Sequence, residues 1–105
     1  MLKQTPTLSD CQAFHRWLDR EKGFSEDLPT NVMLLVEEVG EVAKEVRRLL
    51  HATDDAVRQG AHDHLREELA DCLAFIAKLA NYTDIDLQQA YVEKMTKNIG
   101  RNWLE

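Results

Sequence analysis

Apolar residues recur at helical spacing in four segments of the chain, and polar residues or turn formers separate these segments. In the first segment the apolar positions are Leu8, Cys11, Phe14 and Leu18. Thr7 or Ser9 can accept hydrogen bonds from the free amides of a first helical turn there. Gly23, a residue type that commonly follows the last helical residue, comes after the apolar positions. The pattern predicts an amphipathic helix that ends at Gly23.

A second helix is predicted from about Pro29 to about Leu50, and a third from about Ala61 to Asn81. Pro29 is tolerated at that point because the first turn of a helix does not use its amide protons. The intervening residues 52–60 are mostly polar, so we expect a connection with at most one short turn.

The fourth helix is predicted from Asp86, which has Gln89 in the spacing of a capping box, to Gly100. The chain has only four Gly and two Pro, which favours a few long helices over an all-β sandwich. No internal repeat or long linker divides the sequence. We therefore expect a single all-α domain over residues 1–105, folded as a four-helix bundle.

Composition narrows the class of protein. A net charge of −6 argues against a nucleic-acid partner, because neutralising phosphates needs clustered cations. No stretch approaches 18 uncharged apolar residues and the N-terminus has no signal-peptide pattern, so we expect a cytoplasmic protein without a membrane partner. Cys11 and Cys72 lie in apolar helical patterns without zinc-site spacing, which indicates reduced thiols in the core.

The two middle helices each carry a pair of acids three residues apart, Glu38 with Glu41 and Glu68 with Asp71. Residues at this spacing lie on one helical face, with Cβ atoms about 5–6 Å apart. Each of the four acids also stands directly before a residue of the predicted core. On both helices the acid pair is therefore rotated by the same angle from the apolar stripe. If the two helices are antiparallel neighbours, this equal rotation places both acid pairs on the same side of the helix pair. The four carboxylates can then converge.

The predicted core of these helices consists of two apolar stripes. On the second helix the stripe is Leu35, Val39, Val42, Val46 and Leu49, and on the third it is Leu65, Leu69, Cys72, Ile76 and Leu79. Gly40 interrupts the second helix, where Gly costs about 1 kcal/mol relative to Ala. It either admits a close approach of backbone or ligand or marks a tight helix crossing.

Four convergent carboxylates repel one another unless protons or cations bind. Ligands that are all oxygen favour a hard divalent cation, Mg²⁺ or Mn²⁺, with positions left open for phosphate oxygens. The alternative is a solvated helix face, because Glu is a common and favourable helix residue. The pairing of the two acid motifs favours the metal site.

At these residues the sequence resembles the MazG-like all-α nucleoside triphosphate pyrophosphohydrolases. The family's motif of two adjacent Glu, a third Glu and then Glu-x-x-Asp is filled here by Glu37, Glu38, Glu41, Glu68 and Asp71. The resemblance covers residues 8–103 and implies that these five acids form the catalytic set. Glu38, Glu41, Glu68 and Asp71 would be the Mg²⁺ ligands.

The fourth helix is similar to the family's C-terminal signature. Asp86-Leu87 is followed by Lys94-Met95 and then by Asn98 and Arg101. The resemblance implies that Lys94, Asn98 and Arg101 hold phosphate oxygens. From the residues alone, Lys94 and Arg101 could equally be surface cations that complement a helix C-terminus.

Within this family the chain is most similar to small house-cleaning enzymes that act on deoxynucleotides such as dCTP. The resemblance implies that His15 and Asn31 contact the nucleotide and that Phe24 stacks on the base. A partly buried helix histidine and a core aromatic are the alternatives for His15 and Phe24. Two departures, Arg48 for a Trp and Phe75 for a Tyr, bear on the choice of base.

The function that the resemblance implies is Mg²⁺-dependent hydrolysis of (deoxy)nucleoside triphosphates to a monophosphate and pyrophosphate. It also implies a homodimer or homotetramer that completes the bundle, which suits apolar residues such as Leu34, Leu50 and Leu73 outside the core stripes. Two alternatives stay open: a phosphoribosyl-ATP pyrophosphohydrolase-like enzyme, and a non-catalytic helical module that mediates protein association.

Overall fold

The computed structural model describes residues 2–101, and over this range the chain forms four α-helices, as the sequence predicts. Helix α1 spans Leu8–Lys22, α2 spans Leu28–His51, α3 spans Asp55–Tyr82 and α4 spans Leu87–Ile99. Trp103, the last residue of the predicted resemblance, lies outside the described residues. The all-α class is confirmed.

The ends of α1, α2 and α4 follow from their capping residues. Thr7 and Asp10 form a reciprocal capping box at the start of α1, and Gly23 closes it with φ +67°, a conformation that suits Gly. Asp27 caps α2 by accepting from the Thr30 amide. Asp86 likewise accepts from the Gln89 amide, while the Gln89 side chain bonds Glu93 and does not complete the predicted box.

Helix α3 begins six residues earlier than predicted, so the polar stretch after Ala52 is not an extended connection. Asp54 caps the helix through the amide of Val57. Within the first turns, Arg58 pairs with Asp55 and Gln59 donates to Asp63. Such pairs stabilise a polar helical turn that apolar periodicity cannot reveal.

Helices α2 and α3 form an antiparallel hairpin through a connection of three residues, 52–54. His64 lies beside Glu45, and Glu68 lies beside Glu38, so residue numbers fall along one helix as they rise along the other. Helix α1 packs on α3, and α4 makes its main contact with α1.

The predicted core stripes are only partly buried in the single chain. Val39 and Leu69 are each 53% exposed, and among the described residues only Ala61, Ala77 and Ala80 are buried apolar residues. The radius of gyration is 16.6 Å, against about 13 Å for a compact domain of this size. The four helices are therefore spread more openly than in a closed four-helix bundle, and much of each predicted apolar stripe lies on the surface of the single chain.

Candidate active site

Three carboxylates from the hairpin converge as the acid spacing predicts. Glu38 on α2 and Glu68 and Asp71 on α3 each place one oxygen within 4.8 Å of the others. The equal offset from the apolar stripes, combined with the short antiparallel connection, brings them to the same side of the two helices. Glu38 and Glu68 are half-buried and Asp71 is exposed, so the cluster opens to solvent.

The electrostatics of the cluster are those of crowded like charges. A hydrogen bond with Glu68 raises the pKa of Glu38 to about 7, with burial and the charges of Glu68, Asp71 and Glu41 acting in the same direction. Burial raises the pKa of the neighbouring Cys72 thiol, and the charges of Glu38, Glu68 and Asp71 add to this effect. The site therefore favours a bound proton or cation.

Glu37 and Glu41, the other acids of the motif, are not members of the group of three. Glu41 lies outside the group of three and is exposed, with its carboxylate 3.9 Å from the Lys44 ammonium. Its charge nevertheless contributes to the raised pKa of Glu38, which places it near the cluster. Glu37 is exposed on α2. Rotation of the Glu41 side chain away from Lys44 is the movement that a fourth ligand would need.

The three predicted nucleotide contacts lie on α1, on the α1–α2 loop and in the first turn of α2. His15 is half-buried, and burial lowers its pKa, with Lys78 adding to that effect and Asp19 opposing it. Phe24 is 48% exposed in the loop. Asn31 is 1% exposed and donates to the backbone carbonyls of Ser25 and Asp27. In this structure the Asn31 amide thus holds the loop that carries Phe24.

The three predicted phosphate contacts lie on or after α4. Lys94 is exposed and Arg101 is exposed just beyond the helix. Asn98 is half-buried; its amide nitrogen lies 3.8 Å from the Met95 sulfur. Within residues 2–101, α4 makes its main contact with α1, and the group of three carboxylates between α2 and α3 includes no residue of α4.

A second polar cluster, which the sequence analysis missed, lies between α1 and α3. Asp19 and Lys78 are 8% and 9% exposed, with the ammonium 3.4 Å from Asp19 Oδ1. The Tyr82 hydroxyl donates to Asp19 Oδ2. The available signal was the position of Lys78 within the apolar pattern of α3, where an unpaired lysine would not be buried.

Helix α1 is fastened to the α3–α4 connection by a buried glutamine. The Gln12 amide nitrogen donates to Asn81 Oδ1 and to the Ile85 carbonyl, and its oxygen accepts from the Leu87 amide. Asn81 in turn donates to the Gln12 carbonyl. This network fixes where α4 starts.

No helix within residues 2–101 has the length and apolar character needed to cross a membrane.

Comparison with known proteins extends the geometric evidence. Residues 27–103 match the MazG nucleotide pyrophosphohydrolase domain. The chain is 35% identical over 72 residues to the Gene 37 protein of Mycobacterium phage L5, covering 69% of this chain and 63% of that protein. It is 33% identical over 97 residues to dCTP pyrophosphatase 1 of Mus musculus and of Rattus norvegicus, covering 89% of this chain and 57% of each relative.

The chain thus spans about 57–63% of the length of these curated relatives. The matched range contains Glu38, Glu68 and Asp71, the carboxylates that the hairpin brings together. The resemblance predicted from the acid motif is confirmed by this match and by the all-α fold. The chain belongs to the MazG nucleotide pyrophosphohydrolase family.

Proposed function

We propose that this chain is a Mg²⁺-dependent nucleotide pyrophosphohydrolase that converts (deoxy)nucleoside triphosphates to monophosphates and pyrophosphate. The observation that carries the proposal is the convergence of Glu38, Glu68 and Asp71 within 4.8 Å, inside the range matched to the family. Similarity to dCTP pyrophosphatase 1 supports a deoxynucleotide substrate and a role in cleansing the nucleotide pool.

The donor set fits a hard divalent cation. All three converging groups are carboxylates, the ligand type that Mg²⁺ and Mn²⁺ prefer. The like charges of Glu68, Asp71 and Glu41 contribute to the raised pKa of Glu38, and a bound cation would offset that repulsion. In the proposed enzyme these residues hold the ion and Glu41 joins them after leaving Lys44. When bound, Mg²⁺ supplies polarisation of the phosphoryl oxygens and offsets charge on the leaving group.

The nucleotide's remaining parts are assigned to the other predicted residues. Phe24, exposed beside the second polar cluster, stacks on the base, and His15 contacts the nucleoside from α1. Asn31 positions the Phe24 loop through its two backbone contacts. Lys94, Asn98 and Arg101 hold phosphate oxygens, and we assign this role to the copies on a neighbouring subunit, because α4 of the same chain lies outside the hairpin.

We include assembly into a homodimer or homotetramer in the proposal. Large apolar side chains along α2 and α3, including Val36, Val39 and Leu69, are more than half exposed in the single chain. Large apolar surfaces of this kind are typical of protein–protein interfaces. A second copy would bury these surfaces and bring another α4 to the acid cluster.

Incubation of the purified protein with Mg²⁺ and a panel of standard and modified (d)NTPs tests the proposal. Chromatography of early time points should show monophosphate and pyrophosphate appearing together. Accumulation of diphosphate and orthophosphate would contradict cleavage between the α- and β-phosphates. Phosphoribosyl-ATP in the same panel separates the related enzyme alternative. Absence of turnover with every compound would favour the non-catalytic module.

A further inference from the structure

The buried ion pair between Asp19 and Lys78 lacks its full complement of hydrogen bonds. Asp19 Oδ2 accepts from the Tyr82 hydroxyl, whereas Oδ1 is buried and accepts no hydrogen bond from any residue in the described range. The Lys78 ammonium lies 3.4 Å from Oδ1, longer than the 2.7–2.9 Å of a charge-assisted hydrogen bond. Buried acceptors of this kind are rarely left without a donor.

The Lys78 ammonium also lies against two aromatic rings. It is 4.9 Å from the centre of the Phe24 ring and 5.2 Å from that of Phe75. Both contacts are within the range of cation–π interactions. A planar ligand ring that stacks on Phe24 would replace the contact between Phe24 and the Lys78 ammonium. The ammonium could then donate a hydrogen bond to the edge of the ligand ring.

Asp19, Phe24 and Tyr82 border a cavity of about 440 Å³ together with Arg16 and Arg20. Lys78 is not part of this lining but lies directly against two of its members, Asp19 and Phe24. A cavity of this volume is in the range that holds small organic ligands. The aromatic residue offers a face for stacking, and the buried carboxylate offers an acceptor at the cavity wall.

The spacing along α3 relates this cavity to the acid cluster. Lys78 follows Asp71 by seven residues, and Phe75 lies between them, four residues after Asp71. Seven residues are two helical turns, so Lys78 lies on the same face about 10 Å along the axis. This separation is comparable to the length of a nucleoside between its α-phosphate and the edge of its base.

We propose that Asp19 and Lys78 are specificity-determining residues that read the edge of the nucleobase, an inference that rests on the proposed function. An ionised carboxylate only accepts hydrogen bonds and an ammonium only donates them. The pair therefore selects bases with an N–H donor beside an acceptor, such as the amino group and adjacent ring nitrogen of cytosine or adenine. A base without the N–H leaves the carboxylate unpaired, which is the costly case.

Matched nucleotides test this proposal. The first pair is dCTP and its 2-pyrimidinone analogue, in which hydrogen replaces the amino group; the second is dATP and its purine analogue without the amino group. We expect the wild type to favour the amino form in at least one pair by about tenfold or more in kcat/KM, the effect of one hydrogen bond to a charged group. Equal rates within both pairs would overturn the proposal.

The double variant Asp19→Leu/Lys78→Met removes both charges while keeping side chains of similar size, a change that buried ion pairs often tolerate. In this variant we expect the two members of either pair to differ by less than about threefold in kcat/KM. The variant should still convert the analogues in which hydrogen replaces the amino group. A purely structural ion pair would slow all four nucleotides by similar factors and leave their ratios unchanged. The control is Asp55→Asn, which alters an exposed acid paired with Arg58 that does not line the cavity, and it should keep the wild-type ratios.

Binding of the four corresponding monophosphates, measured by calorimetry on the same proteins, separates this inference from the proposed function. If the wild type releases no pyrophosphate, the proposed function fails. Preferential binding of the amino forms that disappears in the double variant would still support the base-reading pair. Equal binding of all four monophosphates by the wild type would refute it.

Discussion

Glu38 on α2 and Glu68 on α3 place carboxylate oxygens within 4.8 Å of each other across the hairpin, and this proximity raises the pKa of Glu38 to about 7. Asp71 lies within the same 4.8 Å group. The two helices thus meet at a point of like-charge repulsion that a divalent cation would relieve.

Replacing Glu38 or Glu68 by Gln should remove most of the activity while leaving metal-free stability unchanged or higher, because each change removes one like charge at nearly constant volume. The wild type should gain stability with Mg²⁺, by about 2.7 kcal/mol at one hundred times Kd for a single site. The Gln variants should lose most of that gain. Thermal melts with and without Mg²⁺ check these expectations. Glu67→Gln, an exposed acid next to the cluster, is the control. A wild type indifferent to Mg²⁺ would refute a metal site.

Lys94→Ala and Arg101→Ala should each weaken activity toward every nucleotide by similar factors, because phosphates carry no information about the base. Steady-state kinetics with dCTP, dTTP and dATP measure this. Lys97→Ala, another exposed cation of α4, provides the comparison. A loss confined to one base, or no loss, would return Lys94 and Arg101 to the role of surface cations.

Gln12→Leu should lower the free energy of unfolding by about 2 kcal/mol, because it leaves partners on Asn81, Ile85 and Leu87 without their hydrogen bonds. Urea denaturation measures the change. The control is Gln88→Leu, which removes an exposed bond to the Ser9 amide and should change stability by no more than about 0.5 kcal/mol. Equal losses in the two variants would show that the buried network has no special role.

Gly40→Ala should raise the free energy of unfolding by about 1 kcal/mol, because Ala is the better helix former. Among the described residues, no atom outside the adjoining helix backbone lies within 4 Å of the added carbon. Gly60→Ala on α3 should behave alike, since that position is equally open. Thermal or urea unfolding of both variants provides the test. A loss at Gly40 alone would reveal a close approach from outside the chain.

The pKa of His15, followed by NMR, should lie below the ordinary histidine value of 6.5, because burial disfavours the charged ring. Since the folded pKa is the lower one, the contribution of His15 to stability is present above pH 6.5 and is lost as the pH falls through the folded pKa. Lys78→Met should raise this pKa and Asp19→Asn should lower it further, because each removes one of the two opposing charges. Shifts of the opposite sign would contradict the described arrangement.

Local signals account for what the sequence predicted well. Gly23 and Asp86 mark helix ends through interactions within a few residues, so both were identified from spacing alone. The convergence of Glu38 with Glu68 was also predictable, since a short connection and equal offsets from the apolar stripes determine it.

Interactions between distant segments account for the rest. The pair Asp19 and Lys78 depends on how α1 lies across α3, which no local pattern encodes. The exposure of Val39 and Leu69 depends on whether another surface covers them, and a helical stripe looks the same in either case. The early start of α3 was not predicted, because polar contacts of Asp54, Asp55 and Arg58 stabilise it and apolar periodicity does not reveal such contacts.

The three buried alanines between the helices have a consequence for how this chain unfolds. Both the steepness of a urea transition and the heat-capacity change scale with the surface that unfolding exposes. A lone chain with so small an interior should therefore melt over a broad range of denaturant, whereas an assembly that covers the apolar faces should melt sharply. If apolar surface is buried between copies of the chain, the slope of the urea transition should fall as the protein is diluted and the copies separate. The size of that fall measures how much apolar surface is buried between copies and how little within one chain.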